Sequence, residues 1–239
     1  MTAKVAVIGG SGVLALELFQ GLKEVMSRTA RGEVLTARGE NLLFLQRHGR
    51  PPRPPHKINH HANLLALQDW GADYVIAINS TGSLDPALRP GSLLVPDDYF
   101  NPWGIQTFFD EKMEFTTPGL SAKVRQALLA AAGRLGAAVT DGGTYVQTSG
   151  PRFETRAEIR VLAAWGEVVG MTLAHEATLA RELGLEYASL CLVDNYANGI
   201  REQTVAFREI EQAQAENGRI LSQLLPVAIS CLVNPKEDL

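Results

Sequence analysis

Residues 4–12 read KVAVIGGSG, an apolar run followed at once by a glycine-rich turn. A run without polar alternation is typical of a strand covered on both faces of a sheet. Similar short runs recur along the chain, separated by amphipathic or alanine- and leucine-rich stretches. This alternation predicts an α/β fold with a central mixed, largely parallel sheet flanked by helices. No linker, repeat or charge block divides the sequence, so residues 1–239 are expected to form a single domain.

Apolar runs and helical periodicity predict the following elements. The predicted strands cover residues 4–8, 41–45, 73–78, 92–95, 143–148, 167–169 and 187–193. The predicted helices cover residues 62–70, 121–135, 155–165, 175–183 and about 207–225. Ser121 is a predicted N-cap, and Thr155 with Glu158 has the spacing of a capping box.

The composition excludes several classes of function. Of the 239 residues, 46% are apolar and 20% are charged, and the formal net charge is −4. These values are typical of a soluble globular protein, and the charge gives no support for binding to nucleic acid or to a membrane surface. No apolar run is long enough for a transmembrane helix, and the first residues lack a signal-peptide pattern. Cys191 and Cys231 lie in apolar runs and are expected to be buried free thiols, which fits a cytoplasmic protein.

Small and polar residues follow six of the predicted strands at the end where each strand finishes. Ligands of open α/β sheets bind beyond the carboxyl ends of the strands, so these segments predict a ligand site. The alternative is that they are ordinary polar turns. The six segments are GGSG (9–12), QRHG (46–49), NSTGS (79–83), SGPRFET (149–155), GMT (170–172) and DNY (194–196).

The residue types in these segments favour an oxyanion as the ligand. The glycine turn with Ser11 offers backbone N–H groups and a hydroxyl, and Arg47 and His48 add further donors. Neutral donors could come from Asn79, Ser80 and Thr172. The histidines have no metal-ligand spacing, so no metal site is expected, and His60 and His61 are interpreted as surface or capping residues.

The glycine turn also matches GxGxxA, the dinucleotide-binding fingerprint, at Gly10, Gly12 and Ala15. That motif requires a second strand that ends in an acidic residue about 20 positions further on. Residues 27–37 are not expected to form such a strand. The sequence therefore does not favour a dehydrogenase.

The segments that follow the strands, taken together and in order, resemble one known family. They match the trimeric purine nucleoside phosphorylases, in the branch that includes 5′-methylthioadenosine phosphorylase and S-methyl-5′-thioinosine phosphorylase. The matching segments are IGGSG (8–12), RHG (47–49), IN (58–59) with AN (62–63), NSTGSL (79–84), GPRFET (150–155) with AE (157–158), and GMT (170–172) with Glu176 and LARE (179–182).

The resemblance implies phosphorolysis, in which inorganic phosphate attacks the anomeric carbon of a purine nucleoside. The products are a free base and a pentose 1-phosphate. Two effects would accelerate this reaction. The phosphate would stabilise the positive charge that develops on the sugar, and a hydrogen-bond donor at N7 would assist departure of the base. The resemblance also implies a homotrimer, and no cofactor or metal is expected beyond phosphate as co-substrate.

The family's functional residues carry over position by position. Ser11, Arg47, His48, Ser80 and Thr172 match its phosphate contacts, and Asn79 lies on the same loop as Ser80. Met171 matches the residue under the pentose, and Phe153 matches the aromatic residue against the purine. The base-reading positions are Glu154 and Asn195, and the predicted catalytic set is Asn195, Asp194, Glu154 and His48.

The base-reading positions favour a 6-oxopurine. Glu154 can accept a hydrogen bond from N1–H, which a 6-oxopurine has and neutral adenine lacks, and the Asn195 amide can donate to O6 and N7. In the branch specific for 6-aminopurines an aspartate stands at the Asn195 position, and a second one stands where this chain has Ala197. A slip of one residue would instead make Asp194 the base reader and favour adenine.

The 5′ end of the sugar is less defined by the sequence. No histidine follows His175, and the last helix begins near Phe207, whose apolar side chain suits a methylthio group better than a hydroxyl. The segment 98–118 is shorter than in the methylthio enzymes and lacks their histidine. Its aromatic residues contact either the 5′ group or a neighbouring subunit. A nucleoside-binding relative without activity remains a further interpretation.

Overall fold

A computed structural model describes residues 2–201 and 207–234, without the side chains of residues 11–12 and 207–216. The described residues form eleven strands in one sheet and six α-helices. The strands are β1 (Val5–Gly9), β2 (Lys23–Thr29), β3 (Gly32–Arg38), β4 (Leu42–Gln46), β5 (Tyr74–Ser83), β6 (Leu93–Val95), β7 (Asp98–Phe100), β8 (Val139–Asp141), β9 (Thr144–Gln147), β10 (Val168–Gly170) and β11 (Glu186–Tyr196). The helices are α1 (Ser11–Leu14), α2 (His60–Trp70), α3 (Ala122–Arg134), α4 (Arg156–Leu162), α5 (Leu173–Glu182) and α6 (Phe207–Val233).

The predicted mixed, largely parallel sheet is confirmed. β1 pairs in parallel with β4 and β5, and β5 pairs in parallel with β11. β9 and β10 are parallel to each other, but β10 runs antiparallel to the end of β5. The sheet therefore changes direction at β5, which has consequences for the site described below.

Helices cover both faces of the central strands, as the apolar runs predict. In β1, Val5 and Val7 belong to one core with residues of α3 and α6, whereas Ala6 and Ile8 belong to a second core with residues of α2 and α5. Alternate side chains of one strand thus enter opposite cores, which is why the run has no polar position.

The predicted strands include none between residues 8 and 41, and this omission is wrong. β2 and β3 form an antiparallel hairpin, and β3 continues antiparallel to β4 at the edge of the sheet. Charged residues on the exposed side of this edge hairpin hide its alternation, as is common for edge strands. The hairpin is not the parallel second strand of a dinucleotide fold, and α1 has only four residues, so the structure still does not support the fingerprint.

The predicted helix starts are confirmed. The hydroxyl of Ser121 accepts a hydrogen bond from the backbone N–H of Val124 at the start of α3. Thr155 and Glu158 form a capping box with both reciprocal hydrogen bonds at the start of α4. This box fixes the end of the segment 150–155, one of the segments that follow the strands, at the start of α4.

Candidate active site

The segments that follow the strands meet around one cavity of about 620 Å³. One part of its wall comes from the turn after β1, the segment after β4 and the middle of β5. The other part comes from the segments after β9 and β10, the end of β11 and the helix α6. The lining residues from the six predicted segments are Gly10, Arg47, His48, Ser80, Thr81, Gly82, Phe153, Glu154, Gly170, Met171, Thr172, Asp194 and Asn195.

The six segments meet at one cavity, although their strands do not all run in the same direction. β1, β4, β5 and β11 are parallel and finish on the same side. β10 instead pairs antiparallel with the end of β5, at Gly82 and Ser83. Its own carboxyl end therefore points back along β5, and it brings Thr172 to within 2.8 Å of the Asn79 amide. β5 has ten residues, so it can pair in parallel with β11 and, at its end, antiparallel with β10.

Arg47 lies at the end of β4 and is held by a buried carboxylate. Its Nε and Nη2 donate to the two oxygens of Glu176 at 2.5 and 3.1 Å, and its Nη1 donates to the Ile78 carbonyl at 2.8 Å. Glu176 is fully buried. Burial alone would raise the pKa of Glu176, but the Arg47 guanidinium lowers that pKa below its usual value, so the carboxylate remains charged.

A buried polar network continues from this ion pair. The Tyr187 hydroxyl donates to Glu176 Oε2 at 2.9 Å. Asn79 Oδ1 accepts from the Ser189 hydroxyl at 2.7 Å, while Asn79 Nδ2 donates to Thr172 Oγ1 at 2.8 Å. Thr172 is the N-cap of α5, but its hydroxyl makes no capping hydrogen bond. The hydroxyl oxygen accepts from Asn79 instead, and its proton can still be donated to a ligand in the cavity. Helix N-termini favour anions, which suits this end of the cavity.

His48 is fixed by the proline-rich loop that follows it. Its Nδ1 lies 2.8 Å from the Arg53 carbonyl oxygen, and the Arg53 N–H donates to the His48 carbonyl at 2.9 Å. Partial burial and the nearby Arg47 charge lower the pKa of His48 below its ordinary value. The ring is therefore neutral at pH 7.

The interpretation of His60 as a surface or capping residue is wrong. Its side chain is buried, its ring nitrogens have no hydrogen-bond partner, and Nδ1 lies 3.7 Å from Glu176 Oε1. Burial lowers the pKa of His60 to about 3, so it is neutral. His61, by contrast, is partly buried and lies 2.8 Å from the Thr107 carbonyl through Nε2.

The other end of the cavity is shaped by a bulge in β11. The pairing with β5 shifts register between Val193 and Asn195, so Asp194 is the extra residue. Bulges next to active sites commonly redirect side chains. As a result Asp194 and Asn195 both line the cavity instead of facing opposite sides of the sheet.

Asp194 and Asn195 have different hydrogen-bond partners. Asp194 is buried and accepts from the Ser80 hydroxyl through Oδ2 and from Asn217 Nδ2 through Oδ1, the latter at 3.0 Å. Asn195 is partly buried, and its Nδ2 donates to the Tyr196 carbonyl at 2.8 Å. Asp194 is thus tied to β5 and α6, whereas the Asn195 amide nitrogen has a second N–H besides the one that Tyr196 accepts.

Glu154 also lines the cavity and is largely buried. Its Oε1 accepts from the Thr148 hydroxyl at 2.6 Å, and its backbone carbonyl accepts from the Asn198 amide at 3.1 Å. Phe153 beside it is 52% exposed. Gly150 has a positive φ of 64°, and an added Cβ there would lie 2.5 Å from the Met171 sulfur, so glycine lets this loop approach the floor of the cavity.

The side chains of two predicted site residues, Ser11 and Phe207, lie outside the described part of the chain. Gly10 of the glycine turn lines the cavity, but the Ser11 side chain lies outside the described residues. Phe207 begins α6, and its side chain is likewise outside the description, as are residues 202–206.

Asn217 and the partnership of Arg47 with Glu176 were not predicted from the sequence. Asn217 is buried, one turn before the buried Leu221 on α6. A polar residue on an otherwise apolar helix stripe is the signal that could have identified it. Glu176 follows Thr172 by four residues, the spacing that places both on one face of α5.

The described residues contain neither a cluster of metal-binding side chains nor a membrane-spanning helix. Within residues 2–201 and 207–234, no three side chains of histidine, cysteine, aspartate or glutamate lie together as metal ligands would. Across the same part of the chain, none of the helices combines the length and apolar character needed to span a bilayer.

Comparison with known proteins identifies the family. The protein-family model described as "Phosphorylase superfamily" matches residues 4–229. This chain therefore belongs to that superfamily. Within it, the chain belongs to the purine nucleoside phosphorylase family that its motifs resemble. The resemblance stated from the sequence is therefore confirmed.

Three similar proteins illustrate the relationship. A probable 6-oxopurine nucleoside phosphorylase of Archaeoglobus fulgidus is 38% identical, over 94% of this chain and 95% of its own length. A probable S-methyl-5′-thioinosine phosphorylase of Methanocaldococcus jannaschii is 38% identical, over 91% of this chain and 88% of its own. The structure of methylthioadenosine phosphorylase from Schistosoma mansoni in complex with adenine has a TM-score of 0.84 and 27% identity, over 95% of this chain and 91% of that one.

Proposed function

We propose that this chain is a pentosyltransferase that cleaves 6-oxopurine nucleosides with inorganic phosphate. Inosine, guanosine and 5′-methylthioinosine are the substrates in question. The reaction yields the free base and a pentose 1-phosphate. The relatives described as 6-oxopurine and methylthioinosine phosphorylases support this proposal.

The observation that carries the proposal is the division of the cavity into two chemically different ends. Donors for an oxyanion lie at one end: the N–H groups of the glycine turn, the Thr172 hydroxyl at the start of α5, and Arg47 behind them. A carboxylate and an amide, those of Glu154 and Asn195, lie at the other end. A nucleoside between them would present its anomeric carbon to phosphate and its purine to Glu154 and Asn195.

Each group then has a role in the transition state. The phosphate dianion lies below the sugar and stabilises its developing positive charge. Asn195 donates to N7 or O6 as negative charge grows on the leaving base, and Glu154 accepts from N1–H. Met171 forms the surface under the pentose, and Phe153 packs against the purine. No cofactor or metal is needed for these steps.

Methylthioadenosine phosphorolysis is the second candidate, and two observations favour it. The similar solved structures are methylthioadenosine phosphorylases, and the Asp194 carboxylate also lines the cavity. Against it, Asp194 already accepts from Ser80 and Asn217, and so it is held away from the base. We therefore assign base reading to Asn195.

A homotrimer is part of the proposal, and the exposed segment 98–118 supports it. Met113 and Phe115 are 90% and 88% exposed, and Trp103 and Ile105 are exposed as well. Exposed apolar residues of this kind mark protein contacts. Sedimentation velocity should give three times the chain mass of 25.9 kDa. A monomer at micromolar concentration would contradict the proposed trimer but would leave the proposed activity unaffected.

The activity itself is tested by base release. Inosine, guanosine, adenosine, 5′-methylthioadenosine and 5′-methylthioinosine are each incubated with the protein, with and without phosphate. We expect release from the oxopurine nucleosides only when phosphate is present, and the 5′ pairs show whether a hydroxyl or a methylthio group is preferred. Release from adenine nucleosides alone would replace the first candidate by the second. Release that does not need phosphate would contradict both.

A further inference from the structure

The charges at the oxyanion end of the cavity nearly cancel. Arg47 supplies a positive charge there, but both oxygens of Glu176 bind its guanidinium at 2.5 and 3.1 Å. His48 is neutral and therefore adds no positive charge. An oxyanion in this place is held by directed hydrogen bonds rather than by excess positive charge.

Several of the side-chain donors at this end are already committed. The Ser80 hydroxyl donates to Asp194, and Asn79 Nδ2 donates to Thr172 Oγ1. The Thr172 hydroxyl accepts that bond and can still donate its own proton to a ligand. The oxyanion end therefore offers acceptors as well as donors.

His48 is one of these acceptors because of the loop that follows it. A carbonyl oxygen can only accept, so the short contact between Nδ1 and the Arg53 carbonyl requires the proton of the neutral ring to be on Nδ1. Nε2 then carries a lone pair. The loop holds this tautomer through a second hydrogen bond, from the Arg53 N–H to the His48 carbonyl. This gives the proline-rich segment 50–55 a function.

We propose that the cavity recognises its oxyanion through a proton carried by the anion itself, with His48 Nε2 as the acceptor. Hydrogen phosphate and hydrogen arsenate each have an O–H that can donate to Nε2. Sulfate is fully deprotonated and would set a charged oxygen against a lone pair. The site thus accepts phosphate or arsenate and discriminates against sulfate, an inference that rests on the proposed phosphorolysis.

The discrimination has a defined dependence on pH. The charged groups near His48 are Arg47 and Glu176, while Asp194 and Glu154 lie further along the cavity wall. Below the lowered pKa of His48, Nε2 gains a proton and becomes a donor. Sulfate binding should therefore strengthen as pH falls, by up to about tenfold per pH unit above that pKa. Phosphate binding should change less, because phosphate retains a proton throughout.

Calorimetric titration of the full-length protein with phosphate, arsenate and sulfate tests this. At about pH 8 we expect sulfate to bind roughly ten- to a hundredfold more weakly than phosphate, since one charge-assisted hydrogen bond is lost. Arsenate should match phosphate within about threefold. Sulfate that binds as tightly as phosphate at this pH would overturn the inference.

A variant separates this role from a structural one. In His48→Gln, the side-chain amide can turn either its oxygen or its nitrogen toward the anion. We expect sulfate binding to improve and to lose its pH dependence, while phosphate binding persists. His56→Gln is the matched control, because His56 is an exposed histidine on the same loop, and it should leave all three affinities unchanged. Equal weakening of phosphate and sulfate in His48→Gln would show that His48 acts as a donor or only as structure.

The base-release assay keeps the two proposals apart. Phosphate-dependent base release together with equal binding of sulfate would leave the proposed function standing and overturn this inference. Discrimination against sulfate without base release would support this inference and overturn the proposed function.

Discussion

Replacing Arg47 with alanine is expected to abolish measurable phosphorolysis and to lower the free energy of unfolding by about 3–5 kcal/mol. The stability effect follows from the Glu176 carboxylate, which is fully buried and would lose both of its guanidinium hydrogen bonds. Removing one partner of a buried ion pair leaves an uncompensated charge in a medium that solvates it poorly. Urea denaturation, followed by circular dichroism, measures the loss.

A double variant separates stability from activity. Arg47→Met with Glu176→Gln removes both charges together and keeps side chains of similar volume, so we expect most of the stability to return. Phosphorolysis should stay at the level of Arg47→Ala, because the double variant still lacks the guanidinium. If the double variant recovered activity with stability, Arg47 would have no direct part in holding phosphate. If Arg47→Ala were as stable as the unmodified protein, the ion pair would not have the energetic weight that its burial implies.

The contrast between Arg47 and Glu176 shows what the sequence could not supply. Arg47 follows an apolar run directly, so its place at a strand end is predictable from local pattern. Glu176 lies 129 positions further along the chain, and only the pairing of the strands brings the two together. The sequence therefore identified Arg47 as a phosphate contact, whereas the structure also gives it a buried carboxylate partner that largely neutralises its charge.

The same limit explains the edge hairpin and the direction of β10. Strands covered on both faces, such as β1, are recognisable as apolar runs. β2 and β3 lie at an edge of the sheet. Their sequences mix charged and apolar residues, so neither strand stands out as an apolar run. The direction of β10 depends on its pairing with the far end of β5, a long-range choice that no local pattern encodes. The segments around the cavity were predictable as a set, but the geometry that joins them was not.

The bulge in β11 is the clearest case in which the structure changes a sequence interpretation. A regular strand would place Asp194 and Asn195 on opposite faces, so only one of them could read the base. The register shift between Val193 and Asn195 brings both to the cavity. Their hydrogen-bond partners then distinguish them. Asp194 accepts from Ser80 and Asn217, whereas the Asn195 amide donates to the adjacent backbone carbonyl of Tyr196.

Asn195→Asp is therefore expected to reverse the base preference. A carboxylate at this place repels O6 of an oxopurine but accepts from a 6-amino group and from a protonated N7. The ratio of kcat/KM for inosine to that for adenosine should fall by roughly a hundredfold, the size expected when a donor facing a buried acceptor becomes a second acceptor. Steady-state assays with both nucleosides at saturating phosphate measure the ratio.

Asp194→Asn is the matched control, because it makes the opposite exchange at the neighbouring position of the same bulge. Its partners, the Ser80 hydroxyl and the Asn217 amide, both donate to the carboxylate. The new amide can still accept from Asn217, but it must donate to the Ser80 oxygen, so one hydrogen bond is reversed and both lose the charge of the carboxylate. We expect a loss of stability and of kcat for both nucleosides, with their ratio unchanged within about threefold. A shift of the ratio toward inosine in Asp194→Asn, with none in Asn195→Asp, would mean that Asp194 reads the base. In that event the carboxylate would favour 6-aminopurines, and phosphorolysis of adenine nucleosides would replace that of 6-oxopurine nucleosides as the proposed reaction.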